Sequence, residues 1–368
     1  MLSVTQSAAS SVAGDLAGTA TIVRTAVGVP MADVRAAVQC LRARISGYKS
    51  FDGVIMRGMR VGGREARAIV ATGAIGLGTA VMLSAQQPTF KTGIDLVHFS
   101  VSVLDKQGKP ITGLKAEDFQ IVENGKPQSL KFFAAGFPDE APPLHLGMLL
   151  DTSGSMADDL KDARSAAVKF VNALDRAADF TLVDFATEVR VARFGRDDYP
   201  RLVERIRARK ADGWTALYDA VGVYLNGAQS QDGQKILVLY TDGGDNTSSL
   251  TFRDMIDLLK ASDVTVYAVC YMEHQSSTGR VQQRSELERA VEVTGGRAYF
   301  PGFAKDLDGV FDRIREELAA RYSLGYVSSD PRMDGAWRAV DIRLLRRDLK
   351  GVKLHTRTGY YAPYKPAS

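Results

Sequence analysis

The chain has 368 residues, 45% of them apolar and 24% charged, with a formal net charge of +4. One hydrophobic core rarely serves more than roughly 250 to 300 residues, so more than one folding unit is expected, and nothing in the composition suits a collagen-like, coiled-coil or low-complexity protein. Residues 1–85 hold nine Lys/Arg against four Asp/Glu, which leaves 38 against 39 for residues 86–368 with no basic cluster, and this balance excludes nucleic acid as a partner.

Residues 1–55, rich in Ser, Ala, Gly and Val, show no strand or helix pattern and read as a spurious or disordered extension. In residues 56–85, Arg57, Arg60, Arg64 and Arg67 precede an uncharged stretch from Ala68 to Leu83, and Leu83-Ser84-Ala85 supplies a small-residue exit. That is the layout of a secretory signal peptide. Residues 68–83 fall short of the roughly 20 residues a spanning helix needs, which leaves an uncleaved membrane anchor or a buried helix as the alternatives. A signal belongs at the N-terminus, so translation is expected to start at Met56 or Met59. The protein is expected to be exported: periplasmic, secreted or surface-bound, and in contact with a membrane only if this segment is retained.

Residues 90–137 read as an N-terminal β segment. Val97, Phe99, Val101 and Val103 alternate with polar neighbours, as in a half-buried strand. Asn124-Gly125 between FQIVE and QSLKFF marks a hairpin. Pro138 to Pro143 is a linker, after which strands and helices alternate over residues 144–320. The strands are LHLGMLL (144–150), FTLVDFA (180–186), ILVLY (236–240), VTVYAVCY (264–271) and RAYF (297–300). Leu160, Ala163, Ala167, Phe170, Val171 and Leu174 mark a first helix, and further helices are expected at 199–209, 216–228, 252–261, 284–293 and 305–320. This alternation predicts an α/β, Rossmann-like unit with a mainly parallel sheet and helices on both faces. In residues 321–364, YSLGYVSS, WRAVDIRLLRR and VKLHTRTGYYA read as strands. Each flanking set is too small to stand alone. The expected arrangement is one shared β-sandwich-like module bearing the α/β unit as an insertion; the alternative is two separate sheets packed on it.

The chemistry concentrates on three loops at the carboxyl edge of that sheet, where open α/β sheets bind ligands. The first strand ends in Asp151-Thr152-Ser153-Gly154-Ser155, the second loop carries Gly213-Trp214-Thr215 before a helix, and the third is Thr241-Asp242-Gly243-Gly244-Asp245-Asn246. The donors are carboxylates and hydroxyls without thiol or imidazole, a set suited to Mg2+, Mn2+ or Ca2+.

The pattern Asp-x-Ser-x-Ser, a later Thr and an Asp after a buried strand resembles the metal-ion-dependent adhesion site of von Willebrand factor type A domains. By matching position, the resemblance implies Asp151, Ser153, Ser155, Thr215 and Asp242 as the metal set, with a partner's Asp or Glu carboxylate completing the coordination. The segments VSVLDKQGKPITGLKAEDFQIVENGKPQ and YSLGY…WRAVDIRL…TRTGYYAP resemble the flanks of an exported acidobacterial-type group of this family, which implies no known activity.

Other residues carry weaker signals. Asp219 and Asp245 are candidates either for tuning the metal from behind its ligands or for capping helices. Gly154 and Gly243 line the same loops, and Trp214 stands either on the rim or packed on its loop. Cys270 reads as a core thiol and His145 as structural, and the charges of FDRIREELAARY read as a solvated face. There is no GxSxG, and Ser153 stands where a phosphatase-like aspartate would need a second carboxylate. The functional expectation is therefore a non-enzymatic, metal-dependent protein-binding module outside the cytoplasm. A scaffold whose metal only steadies loops is the alternative, and a metal-dependent hydrolase the remote one.

Overall fold

The computed structural model describes residues 96–136, 142–174, 176–242, 244–271 and 277–364. The expected extension, the signal or anchor segment and most of the Pro138–Pro143 linker lie outside the described residues. Among those described, no helix is long and apolar enough to cross a membrane.

The central sheet has six strands: β5 (Leu144–Asp151), β6 (Ala177–Phe185), β7 (Val189–Gly195), β8 (Gln234–Thr241), β9 (Val264–Cys270) and β10 (Arg297–Tyr299), in the order β10-β9-β8-β5-β6-β7. All neighbours are parallel except β6 and β7. The antiparallel edge strand β7 is absent from the sequence reading: Arg190 and Arg193 interrupt its apolar pattern, as an edge strand permits. Six helices cover the sheet: α1 (Leu160–Ala173), α2 (Tyr199–Ala208), α3 (Leu217–Ala228), α4 (Phe252–Ala261), α5 (Ser277–Thr294) and α6 (Leu307–Ala319). The near-continuous apolar strands divide their side chains between two cores. Leu149, Leu237, Leu239 and Val266 pack with α3, α4 and α5, while Leu146, Met148, Ile236 and Val238 pack with α1, α2 and α6. Burial on both faces is the physical reason these runs lack polar alternation.

Gly147 interrupts β5 because α3 comes very close. A Cβ there would lie 2.2 Å from the ring of Tyr224, a buried residue of α3. Glycine inside a strand commonly marks such an approach.

The remaining strands are β1 (Leu96–Leu104), β2 (Phe119–Glu123), β3 (Lys126–Gln128), β4 (Leu130–Ala135), β11 (Tyr322–Val327), β12 (Trp337–Leu344), β13 (Lys353–His355) and β14 (Gly359–Tyr361). They form two four-stranded sheets, β13-β1-β11-β4 and β14-β12-β2-β3, so each sheet combines strands from before and after the α/β unit, alternating in the first and joined at β12–β2 in the second. The two sheets enclose one core containing Phe99, Val101, Ile121, Tyr322, Leu324, Tyr326 and Ile342. Asn124 (φ 45°) and Gly125 (φ 79°) make the β2–β3 turn, but the partner of FQIVE is Lys126–Gln128, and LKFFAA crosses to the other sheet. The run VKLHTRTGYYA likewise divides between β13 and β14.

One sequence expectation fails on α6. Glu317 is not on a solvated face but is 1% exposed, accepting hydrogen bonds from Tyr267 (2.7 Å), Tyr299 (3.4 Å) and Arg297 (3.0 Å). It occupies the apolar stripe with Phe311, Ile314 and Leu318, and its partners come from β9 and β10. His145 is a cross-link at the amino edge, its ring nitrogens 3.0 Å from Asp179 Oδ2 and 2.9 Å from the Asp232 carbonyl.

Candidate metal centre

The sheet order places the change of chain direction between β5 and β8, and both strands deliver a carboxylate there. Asp151 is the last residue of β5, and Asp242 directly follows β8. Asp151 is fully buried. Its Oδ1 accepts the amide of Ser153 at 2.9 Å, and its Oδ2 accepts the hydroxyl of Thr241 at 2.7 Å. The first bond closes a tight turn two residues on, which brings Ser153 back beside the carboxylate. The Ser153 and Ser155 hydroxyls then stand 3.1 Å apart. Ser153 is buried and Ser155 exposed, so the cluster opens to solvent on the side of Ser155.

Backbone bonds lock the three loops together. The amide of Gly154 donates to the Gly213 carbonyl at 3.0 Å, and that of Asp212 to the Thr152 carbonyl at 2.9 Å. Gly213 adopts φ +79°, and a Cβ on it would meet the Thr187 hydroxyl at 2.6 Å. That hydroxyl instead accepts the Trp214 amide at 2.8 Å. Thr215 is tied to the third loop in both directions: its amide donates to Asn246 Oδ1 at 2.7 Å, and its carbonyl accepts the Asn246 amide at 3.0 Å. Asp151, Ser153, Thr215 and Asp242 are all buried at this edge.

The electrostatics follow from two carboxylates sharing one buried place. Burial first, and then the Asp242 charge, pushes the Asp151 carboxyl up to about 7 against the hydrogen bonds that lower it. Nearby Cys270, fully buried, is raised for the same reasons in the same order. Among the described residues no group of three or more His, Cys, Asp or Glu side chains is placed to hold a metal. The donor set here is instead two carboxylates with hydroxyls, which fits a hard divalent cation and no soft one.

Residues 145–312 match the family model of the von Willebrand factor type A domain. The chain carries a von Willebrand factor type A domain. A search of curated proteins gives no match. Among solved structures, the chain is similar to a von Willebrand factor type A protein from Catenulispora acidiphila, with 14% identity, TM-score 0.42 and 74% of each chain covered. It is also similar to the pilus adhesin SpaC from Lactobacillus rhamnosus GG in its open conformation (9% identity, TM-score 0.41, 69% of this chain and 49% of that one). A third likeness is to the vWF domain of the type V pili tip protein Mfa5 from Porphyromonas gingivalis (14% identity, TM-score 0.38, 48% and 96%).

Behind this carboxyl edge of the A domain, two further aspartates hold the loops. Asp219, fully buried in the first turn of α3, accepts the amides of Ser249 (2.9 Å) and Leu250 (3.0 Å). Asp245 reaches the other way. It accepts the Tyr218 amide at 3.1 Å, satisfying an open donor at the start of α3, and also the Ser248 hydroxyl. Burial raises its carboxyl above the usual range despite these bonds. Both aspartates thus join α3 to the Asp242 loop. Trp214 stands on the rim, 66% exposed beside buried Thr215. Gly154 lies on the exposed side of the first loop, and Gly243 lies outside the described residues.

Sequence reasoning missed Thr241, Asn246, Ser248 and Thr187. Thr241 stands next to Asp242 in the TDGGDN motif, so its place was visible. Its role was not, because it depends on the lateral pairing of β8 with β5.

Proposed function

We propose that the A domain is an extracytoplasmic protein-binding module that uses Mg2+, Mn2+ or Ca2+ to hold an acidic side chain of a partner. The observation that carries this reading is the fully buried Asp151 carboxylate, which shares the sheet edge with the Asp242 carboxylate and the Ser153 hydroxyl. Asp151, Ser153, Ser155, Thr215 and Asp242 would hold the ion. When bound, it would neutralise the paired carboxylates and offer a coordination position to an oxygen of the partner. Ser155 and the exposed indole of Trp214 border the side from which a partner would approach. A location outside the cytoplasm rests on residues 56–85.

The scaffold alternative assigns the ion only to steadying loops. The hydrogen bonds of Asp219, Asp245 and Asn246 already fasten those loops without one, which favours the binding reading. A hydrolase lacks support, since Ser153 follows Asp151 where a second carboxylate would be needed.

The test is a calorimetric titration of Mg2+ and Mn2+ into the full chain, beside Asp151→Ala. Saturable binding that the variant loses supports the reading, and no binding by the folded wild type removes it. Metal-loaded protein then serves as bait, with Thr215→Ala as control. Proteins retained by the wild type, lost with the folded variant and eluted by EDTA are the expected outcome.

A further inference from the structure

At the opposite edge of the central sheet, a cleft of about 780 Å3 separates the A domain from the β module. That lies within the roughly 300–1,000 Å3 of pockets that take small organic ligands. One wall is the Leu96–Ser100 half of β1, and the other includes Lys235 at the start of β8 and Asp263 just before β9. This half of β1 pairs with β11 on one side. Its other side meets no strand among the described residues, because β13 covers only Ser102–Leu104.

Three cations stand in the lining, and two are neutralised. Lys235 Nζ is 2.6 Å from Asp263, and Arg332 is 2.6 Å from Asp330. Arg357 has no carboxylate within ion-pair distance among the described residues. Its guanidinium lies 4.5 Å over the Phe99 ring, and one Nη donates to the His98 carbonyl at 2.7 Å. Burial pulls its pKa below the usual value, and the Asp263 carboxylate offsets this only in part. The hydroxyls of Tyr360 and Ser328 are engaged, both donating to Glu123. Arg357 is thus a guanidinium fork fixed in orientation on two sides with N–H groups to spare. Val327 and Met333, 38% and 45% exposed, add apolar lining.

We infer that this cleft is a second binding site, taking an organic monocarboxylate with an apolar body, its carboxylate on Arg357 and its body against Val327 and Met333. One guanidinium without an ion-pair partner among the described residues, in a lining that also holds Asp232, Asp263 and Asp330, suits one negative charge and disfavours a phosphate dianion. The site is independent of the metal centre.

The probes are N-acetylphenylalanine and its neutral amide, titrated into the full chain with EDTA present and followed by calorimetry. The acid is expected to bind saturably, and the amide and Arg357→Gln to bind about ten-fold more weakly or worse. Asp151→Ala should bind the acid as the wild type does. Should Arg357→Gln fail to fold by circular dichroism, Met333→Glu, an exposed change that adds an anion to the lining, is expected to weaken the acid by a similar factor. Equal binding of acid and amide, undiminished binding by the folded variant, or no saturable binding up to on the order of 10 mM would overturn the inference.

Discussion

The Thr241 hydroxyl, at the end of β8, donates to Asp151 Oδ2 at 2.7 Å across the junction with β5. It orients the buried carboxylate while leaving the serine side of the site open. Thr241→Val keeps the shape and removes the donor, so an acceptor is left buried and unsatisfied. The expected cost is about 1–3 kcal/mol in urea denaturation of the metal-free protein, together with weaker Mg2+ binding. Unchanged metal affinity would show that Thr241 has no part in setting Asp151.

Asp151 also predicts a pH dependence. Its carboxyl is raised from 3.8 to about 7 by burial and then by Asp242. Between those values the unfolded chain has released the proton and the folded one still holds it. The metal-free fold therefore loses stability as pH rises from about 4 to about 7, by on the order of a few kcal/mol at about 1.4 kcal/mol per unit. Because a divalent cation requires the ionised form, Mg2+ should raise Tm by more at pH 8 than at pH 5. A Mg2+-induced shift that is equal at both pH values would contradict this account.

Glu317 is a buried charge with a buried-side partner in Arg297 at 3.0 Å. Glu317→Ala strands the guanidinium and two tyrosine hydroxyls, and about 3–5 kcal/mol of destabilisation is expected. Calorimetric melting checks this. A loss below 1 kcal/mol would mean that water takes over the partners of Glu317 without penalty.

Gly147→Ala places a methyl group against the Tyr224 ring, and the ring is too enclosed to move freely. A loss of about 1–3 kcal/mol is expected. Gly147→Ala combined with Tyr224→Leu should recover part of it, whereas strictly additive losses would place the strain elsewhere.

The α/β unit was legible because strands buried on both faces and helices buried on one leave different periodicities, and both are long here. β7 was not, since an edge strand only partly buried carries Arg190 and Arg193 within its pattern. Asp151, Ser153 and Ser155 were legible as a local motif, Thr215 by its place before a predicted helix and Asp242 by its place after a predicted strand. What stayed hidden was lateral. Glu317 sits on an apolar stripe because Tyr267 and Arg297 come to it from other strands, and Asp219 holds amides 30 and 31 residues away. Such pairings are set by strand order, which no local pattern records.

The pairing of early with late strands in both sandwich sheets has a consequence for how the chain is made. Leu96 pairs with Val327 and Ile121 with Ile342, so β1 and β2 leave the ribosome long before their partners exist. The A domain between them contains every strand of its own sheet and can close first. As it does, it brings Ala135 and Tyr322, neighbours in the β4–β11 pairing, to one place. Completion of the α/β unit thereby shortens the search for the oldest strands, which wait longest and close last.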